Sequence, residues 1–211
     1  LARRPRSPTS WTIGLYPIPD ALAKVASASA FEVLKIKLGA PGDMELVRAV
    51  RASTRQVLRV DANEGWTFDG ALERLPELAR LGVEFVEQPL PAAQLDETRE
   101  LRKRSPLPFI ADESVHDAAD IPQLAGAFDG INLKLAKCGG IAPAREIIAV
   151  ARAHGLKILL GCMIESSLGI AAALCVAPLV DWLDLDGHLL IADDPFHGLE
   201  FANGRLVPSE R

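Results

Sequence analysis

Along this chain, short apolar runs end one after another in a charged or polar residue. Those residues are Lys37, Asp61, Glu87, Asp112, Lys134, Cys162 and Asp184, at steps of 24, 26, 25, 22, 28 and 22 residues. Each step is long enough for one strand, one helix and their loops. The apolar runs at 11–16, 33–38, 56–61, 83–87, 108–112, 130–135, 157–162 and 182–186 read as strands. Between them, helical patterns fall at 19–30, from Asp43 onward, and at 69–81, 95–104, 117–127, 143–154 and 167–177. The third of these is closed by Gly82, and Pro76 is expected to kink it. Strands that alternate with helices pair in parallel through right-handed crossovers. Eight such units closing on themselves make a (β/α)8 TIM barrel, here of the modified (β/α)7β kind. An open doubly wound sheet competes, but no Gly-x-Gly-x-x-Gly follows the first strand.

In a barrel of this type the C-terminal strand ends form the rim where active sites sit. Six of the seven residues in the recurrence carry a charge. Three successive strands supply Asp61, Glu87 and Asp112. Three converging carboxylates repel one another and raise one another's pKa unless a cation joins them. All-oxygen ligation suits magnesium, with manganese as the alternative, better than zinc. Three solvated surface acids are the plain alternative, and their common position after apolar strands argues against it.

Lysines stand on both sides of this triad. Residues i and i+2 of a strand share a face, so Lys35 and Lys37 point the same way, opposite to Leu34, Ile36 and Leu38. On the sixth strand, alternation brings Lys134 inward and sends Lys137 outward. A lysine beside a metal and another lysine can act as a general base. The matching chemistry is removal of the weakly acidic proton next to a carboxylate, with a divalent ion stabilising the enediolate. One base on each face gives racemisation or epimerisation.

The segments Lys35-Ile-Lys37, Asp61-Ala-Asn63, Glu87-Gln-Pro89, Asp112-Glu-Ser114 and Asn132-Leu-Lys134-Leu-Ala-Lys137-Cys-Gly-Gly140 resemble the enolase superfamily, muconate lactonising subgroup. The likeness runs from about Thr9 to the C-terminus. It implies Lys37 and Lys134 as the acid/base pair and Lys35 as support for Lys37 and the substrate carboxylate. It implies Asp61, Glu87 and Asp112 as magnesium ligands, with Asn63 and Glu113 behind them. Asp184-Leu-Asp186 is similar to the Asp-x-Asp of dipeptide epimerases, which holds the substrate's free ammonium. The physical reading agrees, because two acids beside a metal site attract a cation; a solvated acidic loop is the alternative. Cys162-Met-Ile-Glu-Ser-Ser167 also resembles the epimerases, which implies substrate contacts from Met163, Glu165 and Ser166.

The activity so implied is magnesium-dependent epimerisation of a dipeptide of the L-Ala-D/L-Glu type. o-Succinylbenzoate synthase with N-succinylamino acid racemase activity is an alternative, but its substrates leave Asp184 and Asp186 without a cation. Muconate cycloisomerase fits the acid pair poorly. A barrel fragment without turnover is the reading of another class. Family members carry an N-terminal capping domain ahead of the barrel, which is absent from this chain. The expected organisation is a linker at 1–10, a catalytic barrel at 11–190, and a tail at 191–211 that would pack on the cap. A hairpin is expected in the tail, turning at Asn203-Gly204.

A net charge of −5 without a basic stripe argues against nucleic acid. No run of about 20 apolar residues crosses a membrane. Three cysteines at no metal-like spacing suggest the reducing cytoplasm. The expected partners are a small-molecule dipeptide and further copies of the chain in a homo-oligomer.

Overall fold

The computed structural model describes residues 8–202 and 204–208. Eight parallel strands form one sheet in sequential order: β1 (Ser10–Ile13), β2 (Val33–Lys37), β3 (Val57–Asp61), β4 (Val83–Glu87), β5 (Phe109–Ala111), β6 (Gly130–Lys134), β7 (Lys157–Gly161) and β8 (Trp182–Asp184). The sheet closes between β8 and β1. Thr9 bridges Leu183 in parallel, and the Leu185 amide donates to Thr9 Oγ1 at 2.7 Å. Thr9 and Ser10 thus belong to the barrel although they fall within the stretch read as a linker; residues 1–7 lie outside the described ones.

The period-2 rule decides what faces where. Leu34 and Ile36 of β2, and Leu58 and Val60 of β3, pack outward against the helices in the main core. Each such buried aliphatic side chain stabilises the fold by about 1.5–3 kcal/mol. The intervening residues face the lumen. Low in the barrel Phe85, Ile110 and Leu159 form a separate apolar plug with Trp182 against it. Arg59 lies 5.1 Å from the Phe85 ring centre, and its charge is met by Glu84 at 2.7 Å. Above this floor the lumen turns polar.

The helices are α1 (Ile18–Ser27), α2 (Asp43–Ser53), α3 (Phe68–Arg80), α4 (Leu95–Arg104), α5 (Ile121–Leu124), α6 (Leu135–Cys138), α7 (Ile141–Ala153) and α8 (Ser167–Leu174). α3 runs on through Pro76. The largest departure from the sequence reading is α5, expected over 117–127 and reduced to one turn. Asp117 and Asp120 explain it. Asp117 accepts from the Ala119 amide at 2.8 Å, and Asp120 accepts from the His116 and Asp117 amides at 2.8 and 3.2 Å. Side-chain capping of this kind competes with helical pairing. β8 also ends earlier than expected, because Asp186 leads into a 3-10 turn at Gly187–Leu190.

The tail forms a hairpin of β9 (Leu199–Ala202) and β10 (Arg205–Pro208). It packs at the N-terminal side of β1 and β2, where Phe201 stacks on Phe31 with ring centres 4.2 Å apart. The Gly204 carbonyl accepts from the Thr9 amide at 3.2 Å. The expected turn falls partly on Asn203, outside the described residues.

Candidate active site

Register alone aligns the rim. Lys37 sits beside Asp61, and Asp61 beside Glu87. On the far wall Lys134 sits beside Gly161, and Gly161 beside Asp184. Asp112 directly follows β5. The structure therefore brings Asp61, Glu87 and Asp112 together: each offers an oxygen, and the three lie within 4.8 Å of one another. All three residues are buried.

Lysines hold this cluster from both walls. Lys35 Nζ lies 2.9 Å from Asp61 Oδ2, 2.9 Å from Glu87 Oε2 and 2.8 Å from Asp184 Oδ2. Lys37 Nζ lies 2.7 Å from the same Asp61 oxygen. Across the lumen, Lys134 Nζ lies 2.5 Å from Asp112 Oδ2. Lys137, expected to point outward, turns in: its ammonium is 3.0 Å from Asp112 Oδ1 and donates to the Asp112 carbonyl. The alternation rule fails because β6 stops at Lys134. Residues 135–138 are a helical turn ended by Gly139 at φ 89°, and a residue three along a helix returns to the same side.

The electrostatics follow from burial and neighbours. Burial alone would depress Lys35, but the Asp184, Asp61 and Glu87 carboxylates outweigh it and hold its pKa well above the lysine range. Burial would lift Asp61, yet Lys35 and Lys37 keep it low. Glu87 goes the other way. Burial first, then the charge of Asp61, push it up to about 8, against the attraction of Lys35. One Glu87 oxygen shows why. Oε2 is buried and forms no hydrogen bond; its 2.9 Å contact with Lys35 is one of charge, without hydrogen-bond alignment. An orphaned carboxylate oxygen among acids, in an all-oxygen donor set, fits a hard divalent cation. Asp61, Glu87 and Asp112 are the residues that would hold it.

The other residues singled out from the sequence divide into two groups. Asn63 Nδ2 donates to Glu113 Oε1 at 3.2 Å, and the Asn63 amide donates to Asp61 Oδ1 at 3.0 Å, so both stand beside the cluster. Burial and Asp112 raise the pKa of Glu113. Asp184 and Asp186 share the lumen side, but both already have partners on β1. Ser10 Oγ donates to Asp184, and the Thr12 amide donates to Asp186 Oδ2 at 2.7 Å. Burial and Asp184 push Asp186 up to about 6. Met163, Glu165 and Ser166 lie on the loop after β7. There Glu165 Oε1 accepts from the Met163 amide at 3.1 Å, and Met163 is half exposed.

Gln88 and Asn132 stand inside the quoted motifs but are given no role by the sequence. Gln88, at φ 34°, accepts from the Asp112 and Ser114 amides at 2.9 and 3.2 Å and so anchors the Asp112 loop. Asn132 donates to Glu87 Oε1 at 2.7 Å. Their signal was adjacency: each stands within two residues of a singled-out group.

Fold and site together define a barrel with a buried carboxylate triad, close enough to hold a cation, between lysines at its C-terminal rim. The chain belongs to the enolase C-terminal domain-like family, whose model matches residues 18–210. It is 42% identical over 202 residues to the L-Ala-D/L-Glu epimerase of Bacteroides thetaiotaomicron, covering 94% of this chain and 52% of that protein. It is 43% identical over 218 residues to the L-Lys-D/L-Arg epimerase of Methylococcus capsulatus, covering 97% and 61%. The substrate-liganded L-Ala-D/L-Glu epimerase of Bacillus subtilis superposes with a TM-score of 0.91 at 30% identity, over 98% of this chain and 62% of that one. The chain thus spans between about half and three-fifths of the length of these relatives.

Proposed function

We propose that this chain is the catalytic barrel of a magnesium-dependent dipeptide epimerase of the L-Ala-D/L-Glu type. The observation that carries the reading is the carboxylate triad with lysines reaching it from β2 and β6. In a closed barrel of eight strands, those two strands face each other across the lumen. A carbon held between them presents one face to Lys37 and the other to Lys134.

Asp61, Glu87 and Asp112 would hold the ion; bound magnesium supplies positive charge where the substrate carboxylate takes up charge as its α-proton leaves. The lysines do the rest. One, as the neutral amine, takes the proton from the α-carbon: the C–H bond breaks and an N–H bond forms. The other, as the ammonium, returns a proton to the opposite face, and the configuration inverts. Lys35 keeps the acids together through its contacts with Asp61, Glu87 and Asp184. The plug beneath keeps water out of the lumen from below. Asp186 and Asp184 supply negative charge for a free ammonium, which supports a dipeptide over an N-acylated amino acid. The names of the relatives support the same class. The three free thiols suit a reducing compartment such as the cytoplasm.

The test is incubation with L-Ala-L-Glu and magnesium in deuterated water. Deuterium should enter at the Glu α-carbon. Exchange on N-succinylamino acids, with none across a set of dipeptides, overturns the dipeptide reading.

A further inference from the structure

Asn132 is buried in the lumen on β6, and its amide uses only one of its two ends. Nδ2 donates to Glu87 Oε1 at 2.7 Å. Oδ1 is buried and has no hydrogen-bond partner. Such an arrangement is costly unless it is needed. The neighbouring strand is shaped around it. β7 carries Gly161 at this level, and a Cβ there would lie 2.2 Å from Asn132 Oδ1 and 2.9 Å from its Cγ and Nδ2. No side chain fits beside the amide, so glycine is required by space.

The effect falls on Glu87. With Oε1 tied to Asn132, the carboxylate plane is fixed, and the oxygen left without a hydrogen bond is Oε2. We infer that Asn132 is the positioning residue that turns Glu87 Oε2 to the cation, and that Gly161 is the slot that lets it do so. Partners that orient a ligand in this way typically change metal affinity by about 10- to 100-fold when removed. This inference rests on the metal part of the proposed function and not on the identity of the substrate.

The test is magnesium affinity by calorimetry on the whole chain, with folding followed by circular dichroism. Asn132→Leu keeps the branched shape and heavy-atom count and removes the donor; Asn132→Ala removes both. Each should weaken magnesium binding by about 10- to 100-fold. Gly161→Ala leaves Asn132 and Glu87 in the chain but crowds the amide, and should produce a similar loss. Because both changes act through one contact, Asn132→Ala with Gly161→Ala should bind no worse than Asn132→Ala alone. A purely structural Asn132 would lower the melting temperature of the metal-free protein and leave the affinity unchanged. Folded Asn132 variants within twofold of wild type, or additive losses in the double variant, overturn the inference. Where Asn132→Leu does not fold, Asn132→Ala decides. Loss of dipeptide exchange in a wild-type chain that binds magnesium would sink the substrate reading and leave this one standing.

Discussion

Adding magnesium to the metal-free protein should expel a proton, and Glu87 is its source. Burial and Asp61 move this carboxyl from its ordinary 4.5 to about 8. Between those two values the folded protein keeps the proton that the unfolded chain has lost. Stability of the metal-free fold must therefore fall as pH rises from 4.5 to about 8, because the folded state binds more protons there. At about 1.4 kcal/mol per pH unit, the full interval corresponds to roughly 5 kcal/mol as an upper bound, with Lys35 sharing the charge. Magnesium needs the carboxylate, so binding below pH 8 displaces the proton and affinity climbs about tenfold per pH unit before flattening.

Calorimetry in two buffers of different ionisation enthalpy counts the protons. Near neutral pH the count should be about one, and the Glu87 share should fade above about pH 8. Glu87→Gln should remove that proton from the count and flatten the stability slope of the metal-free protein. Identical binding enthalpies in both buffers at about pH 6.5, with magnesium bound, would refute the burial argument.

Three further outcomes follow from the same contacts. Lys37→Ala and Lys134→Ala should each slow α-proton exchange by about 100-fold or more, and each should affect one stereoisomer more than the other; equal losses for both isomers contradict the opposed-face geometry. Lys137→Met should destabilise the metal-free protein by about 1–3 kcal/mol, since Asp112 loses one of its two ammonium partners. Thermal melts should show that loss shrinking with magnesium bound, and an equal loss in both states would disprove it. Asp186 rises from 3.8 to about 6 through burial and Asp184, so its charged form opposes folding at higher pH. Asp186→Asn should therefore gain up to roughly 3 kcal/mol above pH 6 and nothing near pH 3.8. The same variant should raise KM for dipeptides while magnesium affinity holds; a variant less stable than wild type at about pH 8 would count against the reasoning.

Much of the rim was legible because two local rules suffice for it. Recurrence located the strand ends, and period-2 alternation turned Lys35, Lys37 and Lys134 inward. Both rules use residues close in sequence. Lys137 was misread where the period itself changed, from strand to helical turn, one residue after Lys134. α5 is shorter than its helical periodicity implies because periodicity ignores the amides that Asp117 and Asp120 capture. Asn132 with Glu87, Gly161 with Asn132, and Ser10 with Asp184 are contacts between strands. Nothing in the order of residues along one strand reveals what the facing strand leaves room for.

The charges of the site connect the proton count to catalysis. Asp61, Glu87, Asp112 and Asp184 face Lys35, Lys37, Lys134 and Lys137, with each contact at 3.0 Å or less. With Glu87 protonated the cluster carries a net positive charge, and a divalent ion adds two more. Releasing the Glu87 proton offsets only one of these. The remaining excess lies on ammonium groups that share oxygens with the triad, and like charge favours the neutral amine. A count near one near neutral pH places the released proton on Glu87 alone. A count approaching two means that a lysine has also become the free amine, which is the form that can take a proton from carbon. The same titration that tests the ligand thus shows whether metal binding also prepares the base.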